Sequence, residues 1–77
     1  MNDENAILMQ FAHKIKKERV KRNLSQEDFA ELMGFHRTYI GMLERGERNI
    51  TLMNLGKMAK ALNMEVKTLL DFDDDTQ

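Results

Sequence analysis

Arg37, Thr38 and Tyr39 stand side by side where a short helix should begin, and all three side chains suit the recognition of a base edge. An arginine guanidinium presents two parallel N–H donors that match O6 and N7 of guanine. A threonine presents a hydroxyl and a methyl, and a tyrosine is long enough for a flanking base or phosphate. Around them lie Gln26, His36, Arg45, Arg48 and Asn49, polar residues placed to hold phosphate, contacts that fix position without reading sequence. Two plainer alternatives stay open: Arg37 as a solvated surface arginine, and Arg48 with Asn49 as polar loop residues. No constellation of catalytic residues stands beside these. Ser25 is the one serine, and a capping role accounts for it. Gly34, Gly41, Gly46 and Gly56 lack the spacing of a phosphate-binding loop. His13 and His36 are too few for a histidine metal site, and the chain has no cysteine. The expectation is a binding protein with no reaction to catalyse, no cofactor and no metal.

Such residues need rigid elements behind them. With no proline, four glycines, 42% hydrophobic and 6% aromatic residues, the composition predicts an all-α domain. A first helix is predicted from Asn5 to Arg22, with Ile7, Leu8, Phe11, Ile15 and Val20 near one face. Lys14, Lys16, Lys17, Lys21 and Arg22 fill its remainder, most as a solvated face and one or two in reach of phosphate, and Asn23 ends it. Ser25 caps a second helix with Asp28 in the capping-box position; Phe29, Ala30 and Met33 turn inward, and Gly34 is the stop. The third helix runs from His36 to Arg45 with Ile40 and Leu43 inward, Gly41 and Met42 on its outer part, and Gly46 closing it. In this phase Arg37, Thr38 and Tyr39 have no inward role. Thr51 caps a fourth helix, Leu52 to Leu62, whose stripe is Leu52, Leu55, Met58, Ala59 and Leu62, with Asn63 as its stop. A short fifth follows from Val66 to Leu70, and the seven methionines read as core filling. Two short helices joined by so tight a turn must cross steeply, one bracing and the next lying in a DNA major groove.

The net charge of −1 looks unsuited to a polyanionic partner. Its distribution resolves this: Asp3, Glu4, Asp71, Asp73, Asp74 and Asp75 load the two ends with acid. Residues 5–70 hold all 12 basic residues against 7 acids, a net +5. A basic face meeting phosphate depends on that local sum; an ordinary solvated surface would also account for it. The 77 residues make one domain with a folded core of about 5–72 and an acidic tail, 73–77. No apolar run approaches the roughly 20 residues of a membrane helix and the start has no signal-peptide pattern, so a soluble cytoplasmic protein is expected.

Leu24-Ser-Gln-Glu-Asp-Phe-Ala30, Gly34, Tyr39-Ile40, Leu43-Glu-Arg-Gly46, Arg48-Asn49 and Lys57-Met-Ala-Lys-Ala-Leu62 together resemble the helix-turn-helix domains of the Cro and lambda-repressor (XRE-like) type, over about residues 8–72. The resemblance implies a compact five-helix bundle with α-helices two and three as the reading unit. It implies Gln26 at a phosphate and Arg37 and Thr38 at bases, and it makes Arg19 and Glu44 a buried ion pair tying the first helix to the third. His36-Arg-Thr-Tyr-Ile40 and Glu44-Arg-Gly-Glu-Arg-Asn49 make the chain most similar to the controller proteins of bacterial restriction–modification systems. That narrower likeness implies a bacterial or phage-encoded homodimer that regulates its own gene and an endonuclease gene, activating at low dose and repressing at high dose. Ile50 and Met53 depart from residues that are often proline and threonine in the wider family.

One recognition helix covers too few base pairs for a useful specificity ratio, so two copies should read half-sites about 34 Å apart. The expected interface is the loop at Ile50, the exposed side of the fourth helix, and the fifth helix with Val66, Leu69 and Phe72; the same residues would also serve to complete the monomer core. Glu27 and Glu31, one turn apart on the second helix, match positions where the lambda repressor touches RNA polymerase, which implies the same contact here. Besides a transcriptional regulator, a phage-type repressor and the DNA-binding antitoxin of a toxin–antitoxin pair fit this pattern, and no small-molecule ligand is indicated.

Overall fold

Five helices follow one another in the computed structural model, which describes residues 4–73: α1 (Glu4–Lys21), α2 (Gln26–Met33), α3 (Arg37–Glu44), α4 (Leu52–Ala61) and α5 (Val66–Leu69). Asp3 and residues 74–77, most of the acidic tail read from the sequence, lie outside the described residues. There is no strand among the described residues.

The first four helices stop by one device. Asn23, Gly34, Gly46 and Asn63 all take positive φ, at 59°, 74°, 71° and 57°. The next amide in each case donates back over the helix end: Leu24 to Arg19 O (3.3 Å), Phe35 to Ala30 O (2.9 Å), Glu47 to Met42 O (2.9 Å) and Met64 to Ala59 O (2.8 Å). Each turn therefore satisfies carbonyls that the helix leaves without partners and redirects the chain within two residues. The two glycines meet different demands. Open space surrounds the point where a Cβ would stand on Gly34, so only its backbone angle requires glycine, whereas a Cβ on Gly46 would also run into the Met9 thioether of α1.

Helix starts are equally local. The Ser25 hydroxyl accepts from the Asp28 amide (3.0 Å) and the Asp28 carboxylate accepts from the Ser25 amide (3.4 Å), a complete capping box. The Thr51 hydroxyl accepts from the Asn54 amide (3.1 Å).

The core gathers Phe11 and Ile15 of α1, Phe29, Ala30 and Met33 of α2, Ile40 and Leu43 of α3, Leu55, Met58 and Ala59 of α4, then Leu62 and Leu69. α2 packs on α3, α1 lies against α3, and α4 joins α2 to α5. Five expectations need correction. Ile7 and Val20 are exposed, because the inner face of α1 runs through Phe11, Ala12, Ile15 and Glu18 instead. Lys14 falls on that inner face: it is buried, its ammonium donating to Asp71 O (3.1 Å) and standing 3.9 Å from the Glu18 carboxylate. Leu52, the first residue of α4, points to solvent. Leu69 has no accessible surface and belongs to the monomer core, so it has nothing to offer a dimer interface. Of the methionines, Met33 and Met58 are buried while Met9 and Met53 are exposed, so core filling describes only part of the set.

Candidate nucleic-acid interface

The first turn of α3 and its N-cap bring His36, Arg37 and Thr38 together on exposed surface. The helix start follows from Gly34, whose positive φ ends α2 two residues before His36 takes the N-cap position of α3 in extended conformation. His36 makes no side-chain cap bond and is exposed, as are Arg37 and Thr38. The two side chains point to different hollows. Arg37 joins Arg19, Ser25, Gln26 and Glu27 around one. Thr38 joins Gly34, Phe35, His36, Tyr39, Met42, Arg48, Asn54 and Lys57 around a groove of about 470 Å³ between α3 and α4.

Tyr39 departs from the sequence reading. It is half-buried rather than outward, its ring edge-on to Phe35 with centroids 5.2 Å apart. Its hydroxyl accepts from the Asn54 amide of α4 (3.1 Å). The Arg48 guanidinium lies 5.7 Å from the same ring and also donates to the Met42 sulfur (3.6 Å). Tyr39 is thus a strut between α3 and α4 that bears Arg48 and helps line the groove. Gly41 is buried rather than outer, and the Arg45 guanidinium comes within 3.1 Å of where a Cβ would stand. Arg45 itself is paired with Glu47 (3.0 Å) on the exposed surface, and Asn49 is exposed.

Behind Arg37, Arg19 makes two parallel bonds to Glu44, from Nε to Oε2 (2.7 Å) and from a terminal nitrogen to Oε1 (3.0 Å). The remaining terminal nitrogen of Arg19 donates to Leu24 O (2.9 Å). The Glu44 side chain is 3% exposed, so the pair is well shielded and its fork geometry strong. Glu44 Oε1 accepts a further bond from the Gln26 amide (3.1 Å). The ion pair that joins α1 to α3 therefore also fixes the side chain at the N-terminus of α2, a position that suits an anion.

A second charged cluster lies away from this surface. Burial pushes the Glu18 carboxyl up, but hydrogen bonds and charge from Arg22 and Lys21 outweigh it and hold the group below the ordinary glutamate range. Arg22 also donates to Leu62 O (3.1 Å), stitching α1 to the end of α4. Glu27 and Glu31 are both exposed on α2. Among the described residues no group of histidine, cysteine and carboxylate side chains is arranged to hold a metal ion, and no helix is long and apolar enough to cross a membrane.

The sequence assigned no role to Asn54 and Lys57, which the fold brings to the groove beside Thr38. Their one signal is a spacing of three residues on a helix capped by Thr51, which sets them on a shared face.

The helix-turn-helix family HTH_3 matches residues 15–69; the chain belongs to that family and is a DNA-binding transcription regulator. It is 54% identical over 59 residues to the control protein C.SmaI of Serratia marcescens, a match covering 77% of this chain and 70% of that protein. Identity to the control protein C.BamHI of Bacillus amyloliquefaciens is 46% over 69 residues, covering 88% of this chain and 85% of that one. The solved structure of the restriction-modification controller protein C.AhdI from Aeromonas hydrophila is similar with a TM-score of 0.81 at 41% identity, covering 88% of this chain and 99% of that chain.

Proposed function

We propose that this chain acts as a homodimer on an inverted-repeat DNA operator and serves as the controller protein of a restriction–modification system. The observation that carries the reading is the exposed pair Arg37 and Thr38 on the first turn of α3, each opening onto its own hollow. In this reading α3 lies in the major groove, Arg37 takes a guanine and Thr38 a neighbouring base edge. Gln26, His36, Arg45, Arg48 and Asn49 hold phosphate. The likeness to C.SmaI, C.BamHI and C.AhdI supports the restriction–modification role. The domain works without catalysis, in the cytoplasm, as one unit.

Dimerisation runs through Ile50, Val66 and Phe72 together with Leu52 and Met53, which are 85% and 79% exposed. Leu69 is not part of it. Glu27 and Glu31 face solvent on α2 and are assigned to a contact with RNA polymerase. Reversing both charges should abolish activation in a reporter assay while leaving DNA affinity unchanged; normal activation by that variant would remove the assignment.

Selection of bound duplexes from a random DNA pool tests the main reading. An enriched inverted repeat with half-sites about one helical turn, 34 Å, apart is the expected result. Salt-sensitive bulk binding with no enriched sequence would overturn it.

A further inference from the structure

The groove between α3 and α4 carries charge of one sign. Arg48 and Lys57 line it, and no acid does. Neither Arg48 nor Lys57 has a carboxylate partner among the described residues, in contrast to Arg45, which is paired with Glu47. Each instead lies by an aromatic ring: the Arg48 guanidinium is 5.7 Å from the centroid of Tyr39, and the Lys57 ammonium 5.2 Å from that of Phe35. The two rings are themselves locked edge to face. A ring quadrupole holds a cation in place without neutralising it. The pair of aromatics therefore presents two cations from two elements to one groove with their full charge available.

The uncharged groups of the groove add to the same effect. The Tyr39 hydroxyl accepts from Asn54, which leaves its own proton to donate elsewhere. Thr38 contributes another hydroxyl to the lining. A site rich in donors and free of carboxylates matches a ligand that only accepts and is negatively charged. Because Thr38 belongs both to this groove and to the first turn of α3, a duplex met by that turn brings its backbone here.

We propose that the groove seats a phosphate of the DNA backbone and that Lys57 of α4 is one of its ligands, together with Arg48. The inference rests on the DNA-binding reading above and extends the interface from α2, α3 and the loop after it onto α4. Lys57 is exposed and lies outside the core, so Lys57→Gln should melt as the wild type does. Lys60, exposed on the same helix but not lining the groove, provides the control.

The experiment measures binding of wild type, Lys57→Gln and Lys60→Gln to the duplex recovered by selection and to a scrambled duplex, over a range of salt concentrations. For Lys57→Gln the slope of log affinity against log salt should shrink by about 0.9, the effect of one lost phosphate contact on B-DNA. Both duplexes should weaken by the same several-fold factor, leaving the specificity ratio intact, and Lys60→Gln should keep the wild-type slope. The proposal is overturned by wild-type slope and affinity in Lys57→Gln, by a loss confined to the selected duplex, or by an equal loss in Lys60→Gln. Failure of the functional reading looks different: a wild type that binds bulk DNA without sequence preference, with a smaller slope in Lys57→Gln, removes the operator and keeps the phosphate ligand. A wild type that binds no duplex removes both.

Discussion

Arg37 and Tyr39 are two positions apart on one helix and have different surroundings. Arg37 is exposed on the first turn of α3, whereas Tyr39 is half-buried against Phe35 and tied to Asn54. Arg37→Ala should cost about 1–3 kcal/mol of binding to the selected operator and relax preference at one base per half-site, measured by titrating single-base operator variants. A uniform loss over all sequences would make Arg37 a phosphate ligand instead. The exposure of Arg37 and Thr38 was readable in the chain because a local signal, the glycine stop at Gly34, sets where α3 begins. The inward turn of Tyr39 was not, since its partner Asn54 lies 15 residues on, in another helix. Lys14 makes the same point more strongly. On the spacing of α1 it passed for a solvated lysine, and its acceptor, the carbonyl of Asp71, is 57 residues away.

At the scale of elements, helix ends were legible and helix faces only in part. Asn23, Gly34, Gly46 and Asn63 stop helices, and Ser25 and Thr51 start them, through bonds that span only a few residues. The faces of α1 and α4 depend on what packs against them, which is why Ile7, Val20 and Leu52 were misplaced. The Arg19–Glu44 pair was implied by family likeness, since nothing local to either residue indicates the other. The Glu18 cluster was not foreseen. Its carboxyl titrates below the ordinary glutamate value of about 4.3, so the folded state binds that proton less readily than the unfolded chain. The resulting stabilisation is fully present above the ordinary value and is lost as pH falls through the depressed one. Wild-type stability, followed by urea unfolding, should therefore decline below about pH 4.3, and Glu18→Gln should be less stable at neutral pH with a shallower decline in that acid window. An unchanged acid limb in Glu18→Gln would assign the pH dependence to other carboxylates.

For the molecule as a whole, the apolar surface that the bundle does not use is the guide to assembly. Leu52 and Met53 occupy adjacent positions at the start of α4 and are 85% and 79% exposed. In the proposed dimer Met53→Glu places a charge in an apolar contact. The variant should melt close to wild type, dissociate at least about tenfold more readily, a change of about 1.4 kcal/mol, and bind the inverted repeat correspondingly more weakly. Sedimentation at several concentrations checks this, and an unchanged monomer–dimer equilibrium would move the interface elsewhere. The overall bundle was legible because its period and its stops are written in the chain, while the exposed pair was masked by its place at the head of an apolar stripe. The union of Lys14 with Asp71 O has a practical consequence for anyone grafting this reading head onto another protein. A buried ammonium near the start of the chain draws one of its acceptors from the main chain beyond α5, so the transplantable unit does not stop where the last helix does. A fusion joint set at Leu70 would still place a main-chain carbonyl at the next position, but not the local conformation that brings it to the lysine.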